Sequence, residues 1–285
     1  MMRRLLSKIA HKTGLVARWN RVATRRINGR RIRIPKILGI RAGLSEPWMI
    51  DLLKKLLPLR KGVFVDIGVN LGYTLIKAKV VDPSIRYVGF EPNPACVFYT
   101  TELIRENQFS DCSLVPVGLF DRSEVAVMRS YGDARVDPAG SVVGGELRAN
   151  ETPTGERFVP LFDFETVKSA IPQLDEDIAI VKIDVEGAEL EVLSAIKGFL
   201  REKSPLVLIE ILPVYEAGNK VRLDRQESIE SLFKNLSYRM ARVRKSSDGR
   251  YDGLEAIDTI GIHRDLDACD YVLIPPSMDV SKVVG

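Results

Sequence analysis

From Gly62 onward, short apolar and β-branched runs punctuate the chain: Val63 to Ile67, Tyr87 to Phe90, Leu114 to Val117, Ile178 to Ile183 and Leu206 to Ile211. Between them lie stretches whose apolar residues recur every three or four positions, the period of a helix with one buried face. Runs that are apolar throughout suit strands covered on both sides, and their alternation with helices predicts an α/β fold with a mostly parallel sheet and helices on both faces. Two later runs, Tyr238 to Val243 and Tyr271 to Ile274, have no convincing helix between them. They are expected to pair as an antiparallel hairpin at one edge of the sheet.

Upstream, Asn28-Gly29 is a hairpin-type turn signal, and Arg31-Ile32-Arg33-Ile34 alternates as a half-buried strand does. A helix is expected from Ser45 as N-cap, with Pro47 in its first turn, an apolar stripe of Met49, Leu52, Leu53, Leu56 and Leu57, and a stop at Pro58. Residues 118–178 are an insertion rich in Gly, Pro and Asp, with strand character expected at Glu124 to Met128 and Arg157 to Phe162. A loop of that length is usually functional or disordered, and this one is the candidate substrate-binding region. The expected organisation is a basic arm with a small ribbon over 1–44 and a main domain over 45–285.

Composition narrows the class. At 285 residues and 45% apolar, the chain can fill one large core or two modest ones. Cys96, Cys112 and Cys269 are widely spaced and odd in number, which suits buried thiols in a reducing compartment rather than a disulfide framework. Residues 1–41 hold thirteen Lys and Arg and no acid, so the remaining chain carries −9 against a total of +4. A basic arm on an acidic body suits an anionic partner, such as a phospholipid surface, a nucleic acid or a glycan, and equally a solubilising tail. Leu5, Leu6, Ile9, Val16, Trp19 and Val22 recur at helical spacing among the cations, as in an interfacial helix, although Gly14 interrupts them. No run approaches the roughly 20 apolar residues of a membrane span, and Lys8, His11 and Lys12 break the opening as a signal peptide. The expectation is a cytoplasmic protein, with peripheral attachment at the inner membrane face as a further expectation from the arm.

Ligands of open α/β sheets bind beyond the carboxyl ends of the strands. The first strand there ends in Asp66, and the turn supplies Gly68, Asn70 and Gly72 before a helix begins near Tyr73. A dinucleotide site has glycines at a similar turn, but it cradles a pyrophosphate on bare backbone donors. A carboxylate two residues before the first glycine would repel that anion and attract the ammonium and sulfonium of S-adenosylmethionine. Glu91, ending the second strand, suits both ribose hydroxyls, and Asn70 can donate and accept at the amino-acid end.

These segments, with Phe90-Glu91-Pro92-Asn93-Pro94 and Lys182-Ile183-Asp184-Val185-Glu186-Gly187-Ala188-Glu189-Leu190, closely resemble the FkbM-type methyltransferase family over about residues 45–245. The resemblance implies the seven-stranded class I methyltransferase sheet, a Rossmann-like α/β arrangement, with S-adenosylmethionine as cofactor and O-methylation, commonly of a sugar, a glycan or a polyketide hydroxyl. It further implies cofactor contacts from Asp66, Gly68, Asn70, Gly72 and Glu91, with Asp121 as the acid facing the adenine; Tyr73, which closes the turn segment, is expected to join them. Val69 replaces the alanine usual between the first glycine and the asparagine.

Asp184 and Glu210 end the fourth and fifth strands, so with Asp66 and Glu91 four carboxylates are expected along one rim of the sheet. Asp184 is the leading candidate to take the acceptor's proton, with Glu186 and Glu210 beside it, although an aspartate of ordinary acidity is a weak base unless burial or a neighbouring acid changes that. Glu186 and Glu189 are expected in the first turn of the next helix, where acids also stabilise the helix dipole. Lys182 lies on the same strand face as Asp184 and is read either as a structural ion pair or as orienting it. The two histidines, His11 and His263, are not spaced as zinc ligands, and His263 stands as an alternative base. No metal is assigned; an oxygen-ligated Mg²⁺ bridging Asp184 and Glu210 is a lesser alternative. The expected acceptor is a small molecule or glycan. Methylation of RNA through the basic arm, and a non-catalytic module docking on membranes, are the competing readings. Against RNA stands Asp184-Val185-Glu186-Gly187 in place of the [DN]PP[YF] type used for base amino groups.

Overall fold

The computed structural model describes residues 20–37, 39–43, 45–132, 140–143 and 152–285. A ribbon of β1 (Arg21–Ile27), β2 (Arg30–Ile37) and the short β3 (Ile40–Arg41) comes first, turning at Asn28 and Gly29, both in left-handed backbone. Ile32 and Ile34 are buried while Arg31 and Arg33 are exposed, as the alternation predicts. The interfacial stripe over Leu5 to Trp19 lies outside the described residues. Its last member, Val22, belongs to β1 and not to a helix.

Helix α1 (Trp48–Leu56) begins two residues later than expected. Pro47 stands at its N-cap and Ser45 lies outside it, because no side chain caps this terminus. Its stripe is as predicted, and the chain passes at Leu57 into a short 3₁₀ turn containing Pro58. Then follow β4 (Val63–Ile67), α2 (Tyr73–Val81), β5 (Tyr87–Phe90), α3 (Pro94–Asn107) and β6 (Cys112–Val115). Strand β6 sits two residues earlier than its predicted run, since Pro116 cannot donate to a ladder.

The insertion holds β7 (Gly118–Leu119), β8 (Glu124–Ser130) and β9 (Gly155–Phe162), which form a separate sheet in the order β7-β9-β8, and α4 (Phe164–Lys168). The main sheet resumes with β10 (Ile178–Ile183), α5 (Glu189–Lys203), β11 (Leu206–Glu210), α6 (Lys220–Asn235), β12 (Arg239–Lys245), β13 (Tyr251–Ile257) and β14 (Asp270–Ile274), and α7 (Val280–Val284) follows. The order is β13-β12-β14-β11-β10-β4-β5-β6. Strands β6, β5, β4, β10 and β11 are mutually parallel, and β14 enters antiparallel to β11.

This is the class I methyltransferase sheet with an eighth strand. The expected edge hairpin of β12 with β14 is corrected in one respect: they do pair antiparallel, but β14 lies inside, between β11 and β12, and the edge is β13. Strand β13 escaped the sequence reading because an edge strand with one solvated side, such as Tyr-Asp-Gly-Leu-Glu-Ala-Ile, carries no continuous apolar run.

Side chains of β4 alternate between two cores. Val63, Val65 and Ile67 pack with α4, α5 and α6, whereas Phe64 packs with α1, α2 and α7. The ribbon is bound to this body rather than set apart from it: Ile27, Ile32, Ile34 and Ile37 pack on Ile76 and Val80 of α2 and on Tyr99 and Leu103 of α3. Among the described residues no helix is long and apolar enough to cross a membrane.

Tyr99 ties the ribbon down, its hydroxyl donating to the Pro35 carbonyl and accepting from the Ala42 amide, both at 2.7 Å. Tyr99→Phe strands two buried backbone groups, so we expect a loss of about 1–3 kcal/mol in thermal unfolding and faster amide exchange in residues 30–42. Unchanged melting and exchange would show that apolar packing alone holds the ribbon.

Candidate active site

The site forms where β4 and β10 end side by side, at the centre of the parallel sheet. After β4 the chain turns through Gly68 (φ 93°), Asn70 (φ 52°) and Gly72 (φ 76°) into α2. A Cβ on Gly68 would lie 1.8 Å from the Asp184 carbonyl oxygen, so only glycine lets the two turns meet. Gly68 and Val69 donate their amides to the Phe90 carbonyl, and the Asp184 amide donates to the Ile67 carbonyl, closing three strand ends into one floor.

Above this floor is a cavity of about 260 Å³ lined by Gly68, Asn70, Tyr73, Glu91, Asp184, Glu186 and Glu210, with Ser45 and Glu46 from the segment before α1. Leu119, Met128, Val142 and Leu161 of the insertion supply an apolar wall, beside Phe90 and Cys96. Seven of the ten predicted site residues therefore meet in one place.

Asp66, Gly72 and Asp121 do not line it. Gly72 serves packing, since a Cβ there would meet Leu103 of α3 at 2.8 Å. Asp121, read through the family resemblance as the acid facing the adenine, is on the surface, paired with Arg122 at 3.0 Å. Its strand, β7, is only two residues long, and the chain turns outward after Phe120. Asp66 is fully buried beneath the floor, where its carboxylate accepts from the Tyr87 hydroxyl. Its other oxygen has no hydrogen-bond partner. Burial pushes its pKa up to about 6, against the pull of Lys182 and Tyr87.

Glu91 is the carboxylate that the turn presents to the cavity. It is 6% exposed and accepts from the backbone amides of Asn70 (2.7 Å) and Asn93 (2.8 Å), so the turn after β4 and the N-cap of α3 jointly aim it. Burial raises its pKa to about 7, although both amides favour the ionised form.

Lys182, 4% exposed, lies in register with Asp66 and gives its ammonium to Asp184 Oδ2 at 2.8 Å. Burial alone would lower its pKa, but Asp184 and Asp66 outweigh burial and hold it above the ordinary lysine value. The ion-pair reading and the orienting reading of Lys182 are thus one arrangement: the pair fixes Asp184 and commits one of its oxygens.

Glu210 differs. It stands in register opposite Asp270 across β11 and β14, and burial, with the charges of Asp184 and Asp270, pushes its pKa well above the carboxylate range. Asp270 is itself paired with Lys245 at 2.6 Å, whose ammonium lies 4.8 Å from the centre of the Trp48 ring.

Glu186 and Glu189 are not both in a first helical turn, as expected, because the helix begins only at Glu189. Glu186 (φ 53°) and Gly187 (φ 108°) form a left-handed turn that carries Glu186 into the cavity. Arg225 of α6 braces it, donating to the Gly187 carbonyl and bidentately to Glu191. Glu189 turns inward and accepts from the Gly187 amide, the structural role weighed for it. His263, the alternative base, is not among the cavity's residues; its backbone amide donates to Val214 and its ring faces the Tyr271 hydroxyl.

Sequence reasoning missed Ser45, Glu46 and the support of Asp66 by Tyr87. One signal was present for the last: Gly89, between two large residues of a buried strand. A Cβ there would meet Tyr87 at 2.8 Å, so Gly89 clears the space through which Tyr87 reaches Asp66.

Residues 66–240 match the Methyltransferase FkbM domain. Among solved structures the chain is similar to the methyltransferase FkbM from Methylobacillus flagellatus, at 14% identity and a TM-score of 0.45 over 75% of this chain and 43% of that one. It is also similar to precorrin-6y C5,15-methyltransferase from Geobacter metallireducens, at 13% identity and a TM-score of 0.39 over 80% of this chain and 86% of that one. A putative caffeoyl-CoA O-methyltransferase from Staphylococcus aureus aligns at 13% identity and 0.38, over 80% and 82%. This chain thus spans less than half the length of the Methylobacillus protein, and a search of curated protein sequences found no match. The domain match, which covers more than half of the chain, places it in the FkbM methyltransferase family.

Proposed function

We propose that the protein transfers the methyl group of S-adenosylmethionine to a hydroxyl of a sugar, a glycan or a related natural product. The observation that carries this reading is that Asp184, Glu186 and Glu210 line the same cavity as Glu91 and the Gly68–Asn70 turn. The donor, when bound, supplies a methyl group on a cationic sulfur. The cavity suits such a group: among the described residues its charged lining side chains are all carboxylates, and the orphaned oxygen of Asp66 lies beneath.

Each residue's part follows from its surroundings. Glu91, held by two amides, accepts from vicinal ribose hydroxyls. The apolar wall of Leu119, Met128, Val142 and Leu161 suits the faces of an adenine ring. Asp184 is engaged by Lys182, so we assign the acceptor's proton to Glu210, whose raised pKa makes it the stronger base. A cation beside Glu210 favours its ionised form, the form that can receive a proton. Glu186, on its braced turn, is placed to accept a hydrogen bond from the acceptor hydroxyl and hold it in line.

Calorimetry is expected to show binding of S-adenosylmethionine that weakens tenfold or more in Glu91→Ala; absence of binding by the folded wild type would remove the donor reading. Affinity should also depend on pH in a definite sense. Glu91 and Asp66 hold protons below about 7 and about 6, and a cationic ligand must expel them, so affinity rises from pH 5.5 to 8 and goes on rising above it while Glu210, whose pKa lies higher, still gives up its proton. A flat profile would show that neither carboxylate titrates with binding. Glu210→Gln should lower kcat by roughly 10²–10⁴ while leaving donor affinity nearly unchanged. Isotope-labelled methyl transferred to purified sugar and amino-sugar acceptors should appear by NMR on oxygen; methyl on nitrogen or carbon would refute the O-transfer assignment.

A further inference from the structure

The first acidic residue of the chain is Glu46, twenty positions before the matched domain span begins. It belongs to none of the motifs, yet it lines the cavity. Two costs converge on it. Its backbone is left-handed, φ 55°, a conformation that a non-glycine residue holds only where its surroundings enforce it. Its Oε2 also lies 2.5 Å from the ammonium of Lys77, which is only 5% exposed, one helical turn into α2 beyond Tyr73. Burial presses Lys77 toward its neutral form, and Glu46 is the first charge to oppose this.

A purely structural contact between the pre-α1 segment and α2 would be cheaper as apolar packing, which replaces buried ion pairs without loss in many proteins. What the pair achieves instead is placement of a carboxylate. The charge of Glu46 is felt at Tyr73 on the donor turn, at Lys182 under Asp184 and at Asp270 opposite Glu210. It therefore acts on the charged groups around Asp184 and Glu210, with which it lines the cavity.

We propose that Glu46, held by Lys77, is a donor-binding residue supplied from outside the matched domain, its carboxylate receiving the cationic methionine end of S-adenosylmethionine. Lys77 is then a positioning residue that acts through Glu46. The inference rests on the donor reading above.

The test compares S-adenosylmethionine with 5′-methylthioadenosine, which keeps the adenosine but carries neither ammonium nor sulfonium. Calorimetry on the full chain would use the wild type, Glu46→Gln, and the double variant Glu46→Gln with Lys77→Met, which leaves no buried ammonium without its carboxylate; thermal unfolding establishes that each is folded. We expect both variants to bind S-adenosylmethionine tenfold or more weakly and 5′-methylthioadenosine as the wild type does. A double variant that binds S-adenosylmethionine like the wild type would overturn the proposal, as would equal losses for both ligands, which would mark the pair as structural. Failure of the wild type to bind S-adenosylmethionine would instead overturn the donor reading itself.

Discussion

Two charges of opposite sign, Asp66 and Lys182, lie side by side in the middle of the central sheet, and much of the site follows from keeping them there. An isolated ion buried among Phe64, Ile180 and Leu208 would cost several kcal/mol. Each is therefore given partners, and each partner is a feature of the site. Asp66 takes the Tyr87 hydroxyl, which needs Gly89 bare. Lys182 reaches past the end of its strand to Asp184 and so aims that carboxylate at the floor of the cavity. Removing Lys182 would leave Asp66 uncompensated and Asp184 unanchored.

The same logic extends outward. Lys77 needs Glu46, and Lys245 needs Asp270 and the face of Trp48. Lysines thus fix Asp184 and Glu46 at the cavity and Asp270 behind Glu210, while Glu91 is fixed by backbone amides and Glu210 has the acids Asp184 and Asp270 as its strongest charged neighbours. Acidity in a cavity repels most anionic metabolites and attracts a sulfonium. It also leaves carboxylates holding protons near neutrality, which is how groups that are weak bases in water become useful ones.

Much of this was legible in the chain. Strands β4, β5 and β10 were bounded by their β-branched runs to the residue, because strands buried on both faces admit little else. The turn after β4 announced itself through glycines that a close approach requires, and Glu91 through its place at the next strand end. The fold followed from order alone, since short connections leave few ways to lay alternating strands and helices. The identities of Asp184, Glu186 and Glu210 as cavity residues came the same way, from their positions just beyond strand termini.

What the sequence could not decide was which acid faces the ligand and which faces the core. Asp66 and Glu91 both lie within a residue of a strand end, but the pleat turns Asp66 down toward Lys182 and Tyr87, and the turn amides draw Glu91 up into the cavity. Asp121 follows a short strand in a matching motif, yet the chain turns outward and leaves it in water. Glu46, twenty residues upstream of the first motif, acquires meaning only when α2 brings Lys77 beneath it. Local pattern records periodicity and turn chemistry, which are properties of neighbours along the chain. The acidity and direction of a carboxylate depend on charges and amides contributed by distant segments, and those are set only when the sheet has closed around them.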